Sequence, residues 1–107
     1  MKKTVAKASV LRTLKKELPY LQNKYGVKRV ALYGSFAKGT QTGTSDVDIL
    51  VQLEKPIGLD FVELASYLEK ALGRKVDLTT ADTLRRSLKS PRYKHIAANI
   101  RQTLSYV

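Results

Sequence analysis

Cysteine is absent from this chain of 107 residues, which excludes disulfides and thiolate-bound metal and gives no sign of an oxidising compartment. Acidic residues are scarce: nine Asp and Glu stand against twenty Lys and Arg, a formal charge of +11. That imbalance suits an anionic ligand or an acidic protein surface, and does not by itself imply nucleic acid. Long apolar runs are missing as well. No stretch approaches the roughly 20 apolar residues of a membrane span. In the basic N-terminus, MKKTVAKASVLRTLKKEL, Lys7 and Arg12 interrupt the continuous apolar core that a secretory signal needs. A cytoplasmic location without membrane contact is the expectation. Histidine occurs once, as His95, and without a second imidazole it predicts neither a metal site nor a Ser-His-Asp triad. No internal repeat is visible. The length fits one domain, 1–107, with a single core.

What is present is concentrated in the segment RVALYGSFAKGTQTGTSDVDILVQL. An apolar stretch, Val30 to Tyr33, stops at Gly34, and a short helix is expected from Ser35 to Lys38. Glycine lets backbone approach an anion closely, and the start of a helix presents amides towards it, so a triphosphate tail fits this turn. A second apolar-alternating stretch opens at Asp46. Strand side chains alternate between faces, so Asp46 and Asp48 point one way and Val47 the other. Two like charges ~4 Å apart repel by roughly 4 kcal/mol at an effective dielectric near 20, so the pair calls for a cation. Mg²⁺ suits it, because that ion takes one or two carboxylates and completes its shell with phosphates and water.

A third carboxylate stands in a similar setting. Lys75 to Thr79 reads as a short strand centred on Asp77, reached through a helix at about Leu59 to Leu72 that stops at Gly73. A strand, helix, strand unit makes its two strands parallel, and the matching positions of Asp48 and Asp77 let neighbouring strands hold them side by side. Gly34-Ser35 follows its strand whereas Asp46 opens the next, so these two strands must be antiparallel for the motif halves to meet. The fold class expected is α+β, a small mixed β-sheet packed with helices.

Each residue also has a plainer reading. Asp46 and Asp48 taken alone are ordinary solvent-facing strand residues, Asp77 a strand-edge carboxylate, Gly34 a tight turn and Ser35 a helix cap. The fixed offset between the two motif halves, with Asp77 downstream, argues against coincidence. Lys38 is by itself a solvated lysine, and only its place between Gly34 and Gly39 makes it a phosphate candidate. Tyr33 reads as core. The six tyrosines invite self-modification, but no local motif speaks for it.

Gly-Ser, ten residues, then Asp-X-Asp, with a later Asp in a Val-Asp-Leu strand, resembles the polymerase-beta-like nucleotidyltransferase superfamily. The similarity is greatest to the minimal nucleotidyltransferases, the MNT-type antitoxins, and runs over nearly the whole chain. That resemblance implies a polymerase-beta-like core, with Gly34 and Ser35 holding the nucleotide triphosphate. It further implies that Asp46, Asp48 and Asp77 are the catalytic, metal-binding carboxylates, with two Mg²⁺ ions expected and ATP as substrate. Such proteins pair with HEPN toxins and transfer AMP to a toxin tyrosine, so a HEPN-type partner is implied. Lys38 departs from the pattern, which usually has Arg there; lysine keeps the charge but loses the planar fork that grips phosphate. Two alternatives remain open: a non-catalytic antitoxin that neutralises its toxin by stoichiometric binding, and an RNA 3′-end nucleotidyltransferase, to which the positive charge would lend itself.

Elsewhere, Leu11, Leu14, Leu18, Leu21 and Tyr25 predict an amphipathic helix from about Ser9 towards Tyr25, kinked or split at Pro19. Phe61, Leu64, Ala65, Leu68 and Leu72 form the stripe of the middle helix. Ala81 to Leu88 is expected to be helical with Thr80 as its cap, broken at Ser90-Pro91. Tyr93, Ile96, Ala97, Ile100 and Leu104 predict a closing helix with Arg92, Lys94, Asn99 and Arg101 on its polar face. Gly39 to Ser45 reads as a mobile loop over the nucleotide site.

Overall fold

The structure, a computed structural model, describes residues 7–39, 46–89 and 104–107, leaving out the side chains of Ser35, Ser87 and Leu88. In chain order its elements are α1 (Lys7–Tyr25), β1 (Val27–Tyr33), α2 (Ser35–Lys38), β2 (Val47–Leu53), α3 (Asp60–Leu72), β3 (Val76–Thr80), α4 (Ala81–Leu88) and β4 (Ser105–Tyr106). The loop expected at Gly39 to Ser45 falls mostly, and the body of the closing helix, with His95, Arg92 and Lys94, wholly, outside the described residues.

The strands form one sheet in the order β3-β2-β1-β4. It is mixed, as the motif required: β1 runs antiparallel to β2 and to β4, while β2 and β3 are parallel. Helices α1 and α3 cover one face, where Val10, Leu14, Leu21, Leu64 and Leu68 close over Val27, Val30, Leu32, Val47, Ile49 and Val51. On the other face Leu84 of α4 and Leu104 pack on Ala31, Tyr33 and Leu50. This two-sided cover explains why β2 is nearly continuous in apolar residues, as expected of a strand buried on both faces. Apolar burial of this kind supplies most of the folding free energy, about 25 cal/mol per Å² removed from water.

Helix termini follow local chemistry. Gly73 ends α3 in the left-handed conformation (φ 70°), its N–H donating to the Glu69 carbonyl, a conformation that costs glycine nothing. Thr80 caps α4, its Oγ1 accepting the Thr83 N–H at 3.0 Å. Glu69 also blunts the sheet edge: its carboxylate accepts the Val76 N–H at 3.1 Å, so that outer amide of β3 is not offered to another strand.

Two expectations need correction. Helix α1 continues through Pro19 as one element, so it is not split there. Pro19 and Lys15 both lie on its exposed side, where water can satisfy the single carbonyl deprived of a donor. Leu104 is not helical; it precedes β4, whose Tyr106 and Ser105 pair with Ala31 and Leu32 of β1. Strand pairing there satisfies backbone groups on the outer edge of β1, which a helix cannot do.

Candidate functional site

The motif halves meet at one end of the sheet. The β1/β2 register sets Tyr33 opposite Asp48, and the β2/β3 register sets Asp48 opposite Asp77. Gly34 follows Tyr33 at once with φ 76°, and α2 starts at Ser35, the Lys38 N–H donating to the Gly34 carbonyl at 3.0 Å. Gly34 and Asp48 fit each other tightly: a Cβ on Gly34 would fall well inside contact distance of Asp48 Oδ2. The absence of a side chain at Gly34 is thus used twice, for the turn and for the approach of a carboxylate to the backbone.

The three carboxylates differ in setting. Asp48 is half-buried between Gly34 and Asp77, Asp46 is exposed in the residue before β2, and Asp77 is exposed on the edge strand β3. Burial, then the charges of Asp77 and Asp46, push the Asp48 carboxyl up to about 6. One site therefore feels all three charges. Among the described residues no three acidic or imidazole side chains are gathered closely enough to enclose an ion. The donor set still fits Mg²⁺: hard oxygens, mutually repelling, open on the side where phosphate oxygens would complete the shell. Lys38 lies exposed in the last turn of α2, about 6 Å along the helix axis from Gly34 by the rise of 1.5 Å per residue.

Two residues of this site were not foreseen. Tyr33, read from the sequence as core, is indeed buried, but its hydroxyl pairs with Thr79 Oγ1 at 3.3 Å. Burial raises its phenol, and the charges of Asp48 and Asp77 add to the rise. The signal was available in part: Thr79 stands two residues after Asp77 and therefore on its face. On the covered side of the turn, Arg74 holds its guanidinium 5.3 Å from the Phe36 ring. A cleft of about 600 Å³ opens at the opposite ends of β2 and β3, lined among others by Leu53, Ile57, Phe61, Thr80 and Arg85. It contains none of the motif residues, so the carboxylate end is the candidate active site.

The raised Asp48 carboxyl carries a stability consequence. Folding pushes it up to about 6, from 3.8 for an ordinary aspartate, so between these values the folded state holds the extra proton. Its charge therefore costs stability above pH 6, and that cost disappears as pH falls towards 4. Two units in full are worth about 2.7 kcal/mol; with the carboxyl half-open to water the expected cost is on the order of 1 kcal/mol. Asp48→Asn should accordingly raise the melting temperature of the metal-free protein at pH 7.5 by about 5 °C, with the gain vanishing near pH 4. Thermal unfolding followed by circular dichroism at the two pH values checks this, and an equal gain at both would refute it.

Comparison with known proteins bears on the family and the fold. Residues 11–104 match the model of the nucleotidyltransferase domain. A relative from Methanocaldococcus jannaschii, provisionally named a protein adenylyltransferase, is 41% identical over 97 residues, covering 88% of this chain and 90% of its own. Among solved structures, one provisionally named a minimal nucleotidyltransferase superposes with a TM-score of 0.67 at 29% identity, over 94% of both chains. Another, a toxin-antitoxin solved with AMP-PNP, shares the fold at a TM-score of 0.53 and 23% identity, over 91% of this chain and 82% of the other.

Proposed function

The chain belongs to the nucleotidyltransferase domain family and is a nucleotidyltransferase, and on that premise we propose that it transfers AMP from ATP to a tyrosine hydroxyl of a HEPN-type toxin, acting as its antitoxin. The observation that carries the chemistry is the row Gly34, Asp48, Asp77: a glycine turn, a half-buried carboxylate and an exposed carboxylate, the last two on adjacent strands. The relative's name supports protein as acceptor, and the toxin-antitoxin fold relative supports the kind of partner.

In this reading the acceptor oxygen attacks the α-phosphorus while the bond from that phosphorus to the bridging oxygen of the β-phosphate breaks, releasing pyrophosphate. Gly34 and Ser35 hold the triphosphate tail through the turn. Asp77, exposed on the edge strand, takes the proton of the incoming hydroxyl in this reading. Asp48, between the turn and Asp77, faces both phosphate and acceptor. Mg²⁺, held by Asp46, Asp48 and Asp77, would neutralise phosphate charge and steady the leaving group. Lys38 adds positive charge near the phosphates.

Mass spectrometry of a toxin co-expressed with this chain tests the reading. One or more added adenylyl groups on tyrosine are expected, lost when Asp46 and Asp48 are both changed to Ala. Full neutralisation by that double variant, with no adduct from the unaltered chain, would replace transfer by stoichiometric binding.

A further inference from the structure

Strand β3 is an edge of the sheet, and none of its residues is buried. In a parallel pair, alternate residues direct both backbone groups to the neighbouring strand. The Val47 N–H donates to the Lys75 carbonyl at 2.9 Å, so with Asp48 opposite Asp77 the residues of β3 that bond to β2 are Asp77 and Thr79. Val76, Leu78 and Thr80 turn their backbone groups outward. Glu69 bears out this parity, because its carboxylate reaches the Val76 N–H from α3. Among the described residues no hydrogen bond reaches the N–H or the carbonyl of Leu78. The Leu78 side chain packs on the face covered by α1 and α3, whereas Asp77 and Thr79 stand on the face of Asp48 and Tyr33.

A peptide strand laid along this edge meets a donor and an acceptor at Leu78, and its residue opposite Asp77 places a side chain on the Asp77 face. Since Glu69 closes the Val76 amide, the open pairing starts beside Asp77. At the start of β3 lies a hollow of about 390 Å³ lined by Ser66, Glu69, Lys70, Gly73, Arg74 and Lys75. Three cations line it with one carboxylate, and that carboxylate is engaged with Val76. An acidic chain is the complement of such a surface. We infer that the outer edge of β3 receives the acceptor as an added strand, an extended partner segment that pairs with Leu78, sets its tyrosine beside Asp77 and runs acidic residues over the hollow at Lys70 and Lys75. The opposite edge strand, β4, is two residues long and carries no motif residue, so β3 is the edge that serves the site. The inference rests on the nucleotidyl-transfer reading above and adds to it how the acceptor is held.

Backbone amide hydrogen exchange, followed by NMR in the chain alone and in complex with its co-expressed toxin, tests it. The Leu78 amide should exchange about tenfold more slowly in the complex, the scale of one net hydrogen bond, while the amides of Asp77 and Thr79, bonded to β2 in both states, change less. Leu78→Pro gives a second reading: proline on an edge strand deletes an outward N–H and leaves the ladder to β2 intact, so toxin affinity should fall about tenfold. Should Leu78→Pro not fold, as seen by circular dichroism, the exchange of the unaltered chain decides alone. Lys70→Glu combined with Lys75→Glu should slow association about tenfold at low salt, a difference that shrinks as salt is raised. Equal Leu78 exchange in the free and bound chain, full toxin affinity in a folded Leu78→Pro, or association indifferent to the charge reversal would overturn the inference. Protection of Leu78 with no AMP on the toxin would leave the docking standing and remove the transfer. Transfer without protection would do the reverse.

Discussion

Changing Gly34 to Ala is expected to lower the proposed AMP transfer by roughly 10²-fold, the scale of displacing a reacting group by about 1 Å, while leaving the chain folded. Two costs arise and they separate. Holding φ at 76° with a β-carbon present costs roughly 1–2 kcal/mol, which is a stability effect. The new methyl would also overlap Asp48 Oδ2. A carboxylate end can yield where backbone cannot, so Asp48 swings aside and the fold survives with the pair disrupted. Gly73→Ala is the control: φ there is 70°, but nothing lies within 4 Å of an added Cβ. Both variants should lose similar stability in denaturant unfolding, and only Gly34→Ala should lose transfer to the partner. Comparable losses of transfer in the two would mean that strain, and not the Asp48 contact, governs the site.

The parts of this site legible in sequence are those that local chemistry dictates. Gly34 had to end a strand, Gly73 had to end a helix and Thr80 had to cap one, because each role depends on a few adjacent residues. The antiparallel β1/β2 pairing followed from requiring the two motif halves to meet, and the parallel β2/β3 pairing from the helix between those strands; both pairings are observed. What escaped depends on tertiary context. β4 is only two residues long, and Leu104, which precedes it, completes a helical spacing with Ile96, Ala97 and Ile100 that local pattern cannot tell from a strand approach. Pro19 is harmless because its side of α1 faces water, a fact of packing. The Tyr33–Thr79 contact joins β1 to β3 across β2, and no window of sequence holds both residues.

Asp77→Asn is expected to lower turnover by roughly 10²–10⁴, the usual weight of a positioned general base, with nucleotide affinity changed far less. Asparagine keeps the size of the side chain and can still accept a hydrogen bond, but it cannot take the acceptor proton. The exposed place of Asp77 on the edge strand, against the half-buried place of Asp48 beside Gly34, is why the loss should fall on the acceptor's side of the reaction. It also gives a signature. The tyrosine acceptor proposed above ionises by itself near pH 10, and its phenolate needs no base. Turnover by Asp77→Asn should therefore climb about tenfold per pH unit between 7 and 9, narrowing the gap to the unaltered enzyme, whose rate should vary much less. Rate measurements on purified toxin and ATP across that range decide it. A flat profile in the variant would show that Asp77 does not take the acceptor proton, and would move its contribution to holding the phosphates.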